Sequence, residues 1–213
     1  HNLQVYKSRL AAGTKIMVMV KAFGYGSGDA EVARTLQYNG VDYLAVAYAD
    51  EAVLLRQAGV SLPIMVLNAT EPSFDLLEQY NIEPEVFSFE MLESLLQWCK
   101  EKGWQHFPIH LKIDTGMHRL GFGLPEVDTL GQQLARQQAL TVKSVFTHLV
   151  ASEDPTADAC TRAQLSQFDK ACEQLSHQLG YSFLQHAANT AAIVRHPAAH
   201  YHMVRLGVGL YGG

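Results

Sequence analysis

Lys21 follows a short apolar run, Ile-Met-Val-Met-Val, and precedes Ala-Phe-Gly-Tyr-Gly-Ser-Gly, so one primary amine stands where an extended segment gives way to a glycine-rich loop. A lysine at the carboxyl end of a buried strand loses part of its hydration. That favours the neutral amine, the form that condenses with a carbonyl carbon. Read alone, the same residue is a strand-end lysine that lays its methylenes on apolar surface and keeps its charge in water. Other polar residues stand in comparable places: Lys112 and Asp114 around Ile113, His148 after Val-Phe-Thr, Asn189 and Thr190 after His-Ala-Ala, and Arg205 within Met-Val-Arg-Leu. Each has an ordinary reading as a solvated strand end, a satisfied core histidine or a structural charge, and Tyr25 reads equally as a packing aromatic. Gly24, Gly26 and Gly28 lack the spacing of a dinucleotide fingerprint and the Lys-Ser/Thr of a phosphate-binding P-loop. His196, His200 and His202 have no carboxylate or cysteine at ligand spacing, so no metal site is expected there.

The elements that must position these residues show as eight β-rich runs. They are Ile16 to Val20, Tyr43 to Ala47, Ile64 to Leu67, Glu85 to Ser88, Ile109 to Ile113, Val142 to Thr147, Phe183 to His186, and Met203 to Leu206. Between them the apolar residues take helical steps, most clearly at Leu165, Phe168, Cys172, Leu175 and Leu179, and again at Met91, Leu92, Leu95, Leu96 and Cys99. Glycines and prolines (Gly40, Gly59, Pro63, Pro84, Gly103, Pro108, Gly180 and Pro197) punctuate the joints. This alternation predicts an α/β fold, a (β/α)8 TIM-type barrel preceded by one helix over His1 to Leu10, as a single domain over residues 1–213. The active site of such a barrel is built at the carboxyl ends of its strands. Lys21, Lys112, Asp114, His148, Asn189, Thr190 and Arg205 are all expected there.

Composition sets limits on partners. The 213 residues are 48% hydrophobic and carry a formal charge of −5, with no basic stripe, which argues against nucleic-acid binding. Three cysteines without paired spacing suggest a reducing, cytoplasmic setting and no disulfide framework. No apolar run is long enough to span a bilayer, so no membrane partner is expected. The chain begins at His1 without an initiator methionine, and the expectation is a piece excised from a longer polypeptide.

Four segments go beyond a generic barrel: VKAFGYGSG (20–28), KIDTGMHRLGF (112–122), HAANTAA (186–192) and MVRLGVGLYG (203–212). Together they resemble the barrel domain of the fold-type III alanine racemases, and KIDTGMHRLGF is the most specific of them. The resemblance implies pyridoxal 5'-phosphate as cofactor. Lys21 would form the Schiff base and act as one of two bases, and Tyr25, Thr190 and the amides of Gly207 and Val208 would hold the phosphate. Arg205 would face the pyridine nitrogen, and because an arginine does not readily release a proton, the ring would stay a weak electron sink. His148 would lie beside the ring with Asn189 in the same network. Arg119 would meet the substrate carboxylate, oriented by a carbamylated Lys112.

The resemblance further implies a homodimer. A C-terminal β-domain, absent here, would supply the second base, a tyrosine, from the partner subunit, so the isolated chain is expected to have little activity. Phe23 and Ser27 depart from the residues usual in the first segment, without touching the lysine assignment. The implied reaction interconverts L- and D-alanine, a small-molecule substrate, for peptidoglycan synthesis in a bacterial cell. Two alternatives remain open at this point. One is another fold-type III enzyme, such as an amino-acid decarboxylase or a D-amino-acid aldolase or dehydratase; the other is a non-catalytic pyridoxal phosphate carrier.

Overall fold

In the computed structural model, which describes residues 1–212, β1 (Lys15–Met19) is covered on both faces, with Ile16, Met17 and Val18 buried. That is the environment of a strand in a parallel sheet, and it explains why the run is continuously apolar rather than alternating. The elements that follow, in chain order after α1 (Asn2–Lys7) and β1, are α2 (Lys21–Tyr25), α3 (Asp29–Tyr38), β2 (Tyr43–Val46), α4 (Ala49–Gln57), β3 (Ile64–Val66) and α5 (Phe74–Gln79). Next come β4 (Glu83–Val86), α6 (Phe89–Lys102), β5 (Phe107–Lys112), α7 (Val127–Ala135) and β6 (Leu140–Phe146). The chain continues with α8 (Asp158–Leu179), β7 (Leu184–His186), α9 (Thr190–Arg195) and β8 (Met203–Leu206).

These elements group into two compact units. The first, His1–Glu85 with the chain from Ala188 onward, holds the strand order β4-β3-β2-β1-β8. All its pairings are parallel, with Val18 level with Leu44 on one edge and with Leu206 on the other. The first strand thus pairs with the last, the connection by which a parallel sheet closes on itself. The second unit, Val86–Ala187, holds β5, β6 and β7, also parallel. Its β5–β6 ladder shifts register between Ile109 and His110: Ile109 faces Val142, but His110 faces Ser144, leaving the exposed Lys143 as the extra residue. Eight parallel strands alternating with helices make the expected (β/α)8 barrel class, entered through α1.

Both predicted helical faces are found. Met91, Leu92, Leu95 and Cys99 of α6 are buried, as are Leu165, Phe168, Cys172 and Leu175 of α8, each burial contributing roughly 1.5–3 kcal/mol for the large aliphatic and aromatic side chains. Ser88 does not belong to β4 as its sequence context suggested. Its Oγ accepts the Met91 N–H at 3.2 Å and caps α6, so β4 begins and ends two residues earlier than expected. Pro84 and Pro108 lie second in β4 and β5 rather than before them, positions where a missing donor weakens the ladder little. Helix α1 stops at Lys7, whose Nζ turns aside to donate to Asn39 O and Gly40 O at 2.6 and 3.1 Å. No helix among the described residues is long and apolar enough to cross a membrane.

The segment 113–122 is a loop closed at its base. Asp114 N–H donates to Phe122 O, and Phe122 N–H to Lys112 O, both at 2.9 Å. Gly121 makes that closure possible, because a Cβ there would stand 2.8 Å from Asp114 N and 3.1 Å from Lys112 O, at φ +123°. Gly121→Ala is therefore expected to destabilise the fold by at least about 2 kcal/mol, read as a lower midpoint in thermal or urea unfolding. An unchanged midpoint would show that the loop base tolerates a wider opening.

Candidate active site

Two departures from regular structure place Lys21. The chain leaves β1 after Met19; Val20 still donates its N–H to Ala45 O at 2.8 Å but has turned to ψ 24°. Lys21 therefore opens a separate turn rather than ending the strand, as its sequence context had suggested. That turn is left-handed: Ala22, Phe23, Gly24 and Tyr25 have φ of 53°, 53°, 58° and 53°. Glycine takes this conformation freely, whereas each of the three other residues is strained by roughly 1–2 kcal/mol. The short β1–α2 step thus carries strain beside the Lys21 amine.

Two hydroxyls and a backbone amide gather next to this turn. Thr190 Oγ1 accepts the Gly207 N–H at 3.0 Å. A Cβ at Gly207 would stand 3.4 Å from Tyr25 Oη and 3.6 Å from Thr190 Oγ1, so glycine keeps open the space on which both hydroxyls converge. Tyr25 packs at 4.8 Å against Tyr211, whose Oη donates to Met19 O at 3.0 Å. Burial raises the Tyr25 phenol above its ordinary value and, with Tyr25 beside it, pushes Tyr211 up to about 12, so both remain neutral hydroxyls at physiological pH. Asn189 Oδ1 accepts the Ala192 N–H at 3.0 Å and caps α9, which fixes Thr190 at the first residue of that helix. Val208 opens a 3-10 turn (Val208–Leu210) directly after Gly207. Two hydroxyls without a bulky charge, one of them held by the Gly207 N–H, suit a phosphate dianion.

Arg205 is buried in β8, and its N–H donates to Ala188 O at 2.9 Å. Burial lowers its guanidinium to about 10 while the charge of the fully buried Glu85 of β4 acts upward, so it stays protonated at neutrality. A protonated, desolvated guanidinium is a strong fixed donor.

The remaining expected residues lie in the second unit. Lys112, buried at the end of β5, holds its Nζ 5.6 Å from the centroid of the Phe146 ring, which stacks on His186 at 4.9 Å. Below them Ser144 Oγ lies 2.6 Å from His110 Nδ1 and 2.8 Å from His186 Nε2, a pairing made possible by the register shift at Lys143. Arg119 is exposed on the 113–122 loop. Asp114 shapes that loop: its Oδ1 accepts the Gly116 and His118 N–H groups at 2.9 and 3.0 Å, and its Oδ2 meets His118 Nδ1 at 3.2 Å. His148 is fixed through its backbone. Buried Gln164 of α8 donates to His148 O at 3.1 Å and to Thr115 Oγ1 at 3.3 Å, while its Oε1 accepts the Val150 N–H at 3.1 Å.

Within the first unit the structure brings together Tyr25, Thr190 and Gly207, with Asn189 behind them and Lys21 at the start of the same turn. Within the second, Lys112 ends β5, His148 follows β6 by two residues, and Arg119 lies exposed on the loop after β5. Glu51, Glu85, Ser144 and Gln164 had no signal in the sequence, and Tyr211 had only its place in the segment 203–212: each acts through a contact between residues far apart in the chain. No group of three or more His, Cys, Asp or Glu among the described residues is arranged to hold a metal. His200 instead reaches Ile193 O at 3.0 Å.

The family model described as "Alanine racemase, N-terminal domain" matches residues 1–213. The chain is 37% identical over 213 residues to an alanine racemase of Symbiobacterium thermophilum, covering 99% of this chain and 55% of that protein. It is 38% identical over 203 residues to an alanine racemase of Methanococcus maripaludis, covering 93% of this chain and 53% of that one. Among solved structures, the alanine racemase of Clostridium difficile 630 matches with a TM-score of 0.92 and 32% identity over 100% of this chain and 55% of its own. That of Bartonella henselae, described with covalently bound pyridoxal phosphate, matches with 0.85 and 26% over 99% and 60%. The chain spans about half the length of these relatives.

The Asp114 contacts make a pH-dependent contribution to stability. Burial alone raises this carboxyl, but the N–H groups of Gly116 and His118 and the His118 ring outweigh it, and the net shift is downward. A carboxyl lowered in the folded state adds stability that is fully present above its unfolded value, about 4, and is lost as pH falls through the lowered folded value. Asp114→Asn is expected to lower the thermal midpoint at pH 7 and to flatten its fall below about pH 4. Parallel acid limbs for the two proteins would count against this role.

Proposed function

Because the chain belongs to the alanine racemase N-terminal domain family, we propose that residues 1–213 are a single pyridoxal phosphate-binding barrel domain of an enzyme that interconverts L- and D-alanine. The observation that carries this reading is the convergence of Tyr25 Oη and Thr190 Oγ1, the latter accepting the Gly207 N–H, on space that a side chain at 207 would fill. Those donors would hold the cofactor phosphate together with the Val208 amide, and Asn189 would keep Thr190 in place. Pyridoxal phosphate, when bound, supplies an electron sink for negative charge developing at the substrate Cα.

The chain's own residues would set how that sink is used. Lys21 would hold the cofactor's aldehyde carbon and move the Cα proton on one face. Arg205, still protonated at neutrality, would donate to the pyridine nitrogen and keep it from taking a full proton. Charge would then be withdrawn from Cα only weakly, which favours prompt return of the proton over other fates. His148 would flank the ring. Arg119 would receive the substrate carboxylate with its forked donors, and Lys112, if carbamylated, would become an anion able to orient Arg119. The resemblance assigns the second base to a tyrosine of a C-terminal β-domain in the partner subunit of a homodimer. On that reading the chain alone would racemise alanine poorly. The enzyme would work in the cytoplasm, without nucleic-acid or membrane partners, and supply D-alanine to peptidoglycan.

The test uses the full protein with L-alanine in deuterated buffer. Racemisation predicts deuterium at Cα together with decay of optical rotation to zero, whereas release of carbon dioxide would replace the proposal with a decarboxylase. Lys21→Ala is expected to remove the visible absorbance of the bound cofactor and to slow racemisation by about 10³-fold or more. Survival of that absorbance would reject Lys21 as the attachment point.

A further inference from the structure

We infer that Glu51 is a positioning residue for Lys21, its carboxylate bracing the strained left-handed turn that follows the lysine. Its cofactor arm rests on the function proposed above; its structural arm does not. Ala22, Phe23 and Tyr25 occupy a region of backbone space that residues with a Cβ rarely adopt, so something outside the turn must hold it. The turn's internal bonds, Gly26 N–H to Ala22 O and Gly28 N–H to Phe23 O, both at 3.1 Å, satisfy two of its carbonyls. The Ala22 N–H is taken from outside, by Glu51 Oε1 at 2.7 Å.

The other oxygen anchors the brace. Glu51 lies in the first turn of α4, and its Oε2 accepts the Ala47 and Tyr48 N–H groups at 2.7 and 3.1 Å, just beyond the end of β2. Capping of α4 accounts for this second oxygen alone. The first spans 29 residues to the amide next to Lys21, and an ionised acceptor makes that bond about twice as strong as a neutral one. Since β2 also pairs with β1, the carboxylate ties the turn to the neighbour of the strand it leaves. It thereby limits where the Lys21 amine can be.

Hydrogen exchange in the cofactor-free full protein tests the brace directly. Glu51→Ala is expected to speed exchange over residues 20–28 by roughly tenfold or more, because both the bond and the restraint on the strained turn are lost. Leu55→Ala, a core truncation in the same helix, serves as a control that lowers stability without touching the turn. Adding Ala22→Gly, which relieves the strain that Glu51 offsets, should restore part of the protection in the Glu51→Ala background while doing little by itself.

Pyridoxal phosphate titration should follow the same pattern, with about tenfold weaker uptake in Glu51→Ala, partial rescue by Ala22→Gly, and unchanged uptake in Leu55→Ala. If Glu51→Ala cannot be purified, Glu51→Gln is expected to show the same effects at smaller size, since an amide oxygen can serve one end of the brace but not both. Exchange over 20–28 that matches the Leu55→Ala control, or no rescue by Ala22→Gly, overturns the inference. Wild-type protein that takes up no pyridoxal phosphate overturns the proposed function instead, and the exchange result still decides the role of Glu51.

Discussion

Parallel pairing of β1 along both edges is the constraint from which the rest of the first unit follows. With β2 on one side and β8 on the other, the strand has no freedom to slide, because a slip would break the hydrogen-bond ladders on both of its edges. The level of Val18 with Leu206 then brings Gly207 beside Met19, and Tyr211 reaches back to Met19 O. The chain must leave this fixed strand within two residues. It does so through a left-handed turn that few side chains favour, and the lysine stands at its start.

Polar and charged groups buried in the strands are the second cost that the fold carries. Arg205 and Glu85 lie in one unit with almost no exposure, and His110 and His186 share the hydroxyl of Ser144 in the other. Buried polar groups of this kind destabilise a fold unless partnered, so an inert barrel would fill these positions with aliphatic side chains. On the function proposed above, Arg205 is kept because it would donate to the cofactor's ring nitrogen. Gln164 and Asp114 belong to the same economy of structure: each spends a whole polar side chain on holding a loop that carries a residue the proposed chemistry would use.

Much of this was legible along the chain. The eight β-rich runs and the apolar faces of α6 and α8 follow from local composition and spacing, which record which side chains must be buried, whereas Tyr25, Thr190, Arg205 and Gly207 were singled out by the resemblance of their segments to a known family. Other features were misread because two local signals competed. Ser88 fits a strand by its neighbours yet caps α6, since an exposed helix N-terminus needs an acceptor more than the strand needs another residue. Lys21 reads as the end of a strand because its predecessors are apolar, but ψ at Val20 has already left the extended region.

By itself the sequence determined the fold class, the family and the types of residue available for chemistry, because periodicity, turn residues and the segment KIDTGMHRLGF are properties of short stretches. Only the tertiary structure decided the handedness of the turn after Lys21, the capping duty of Asn189, the pairing of Ser144 with two histidines, and the reach of Glu51 to Ala22. The turn and the Asn189 cap depend on backbone angles that composition leaves open, and the other two on distances between residues remote in the chain. Such distances are set by strand register and helix packing, which local composition does not encode.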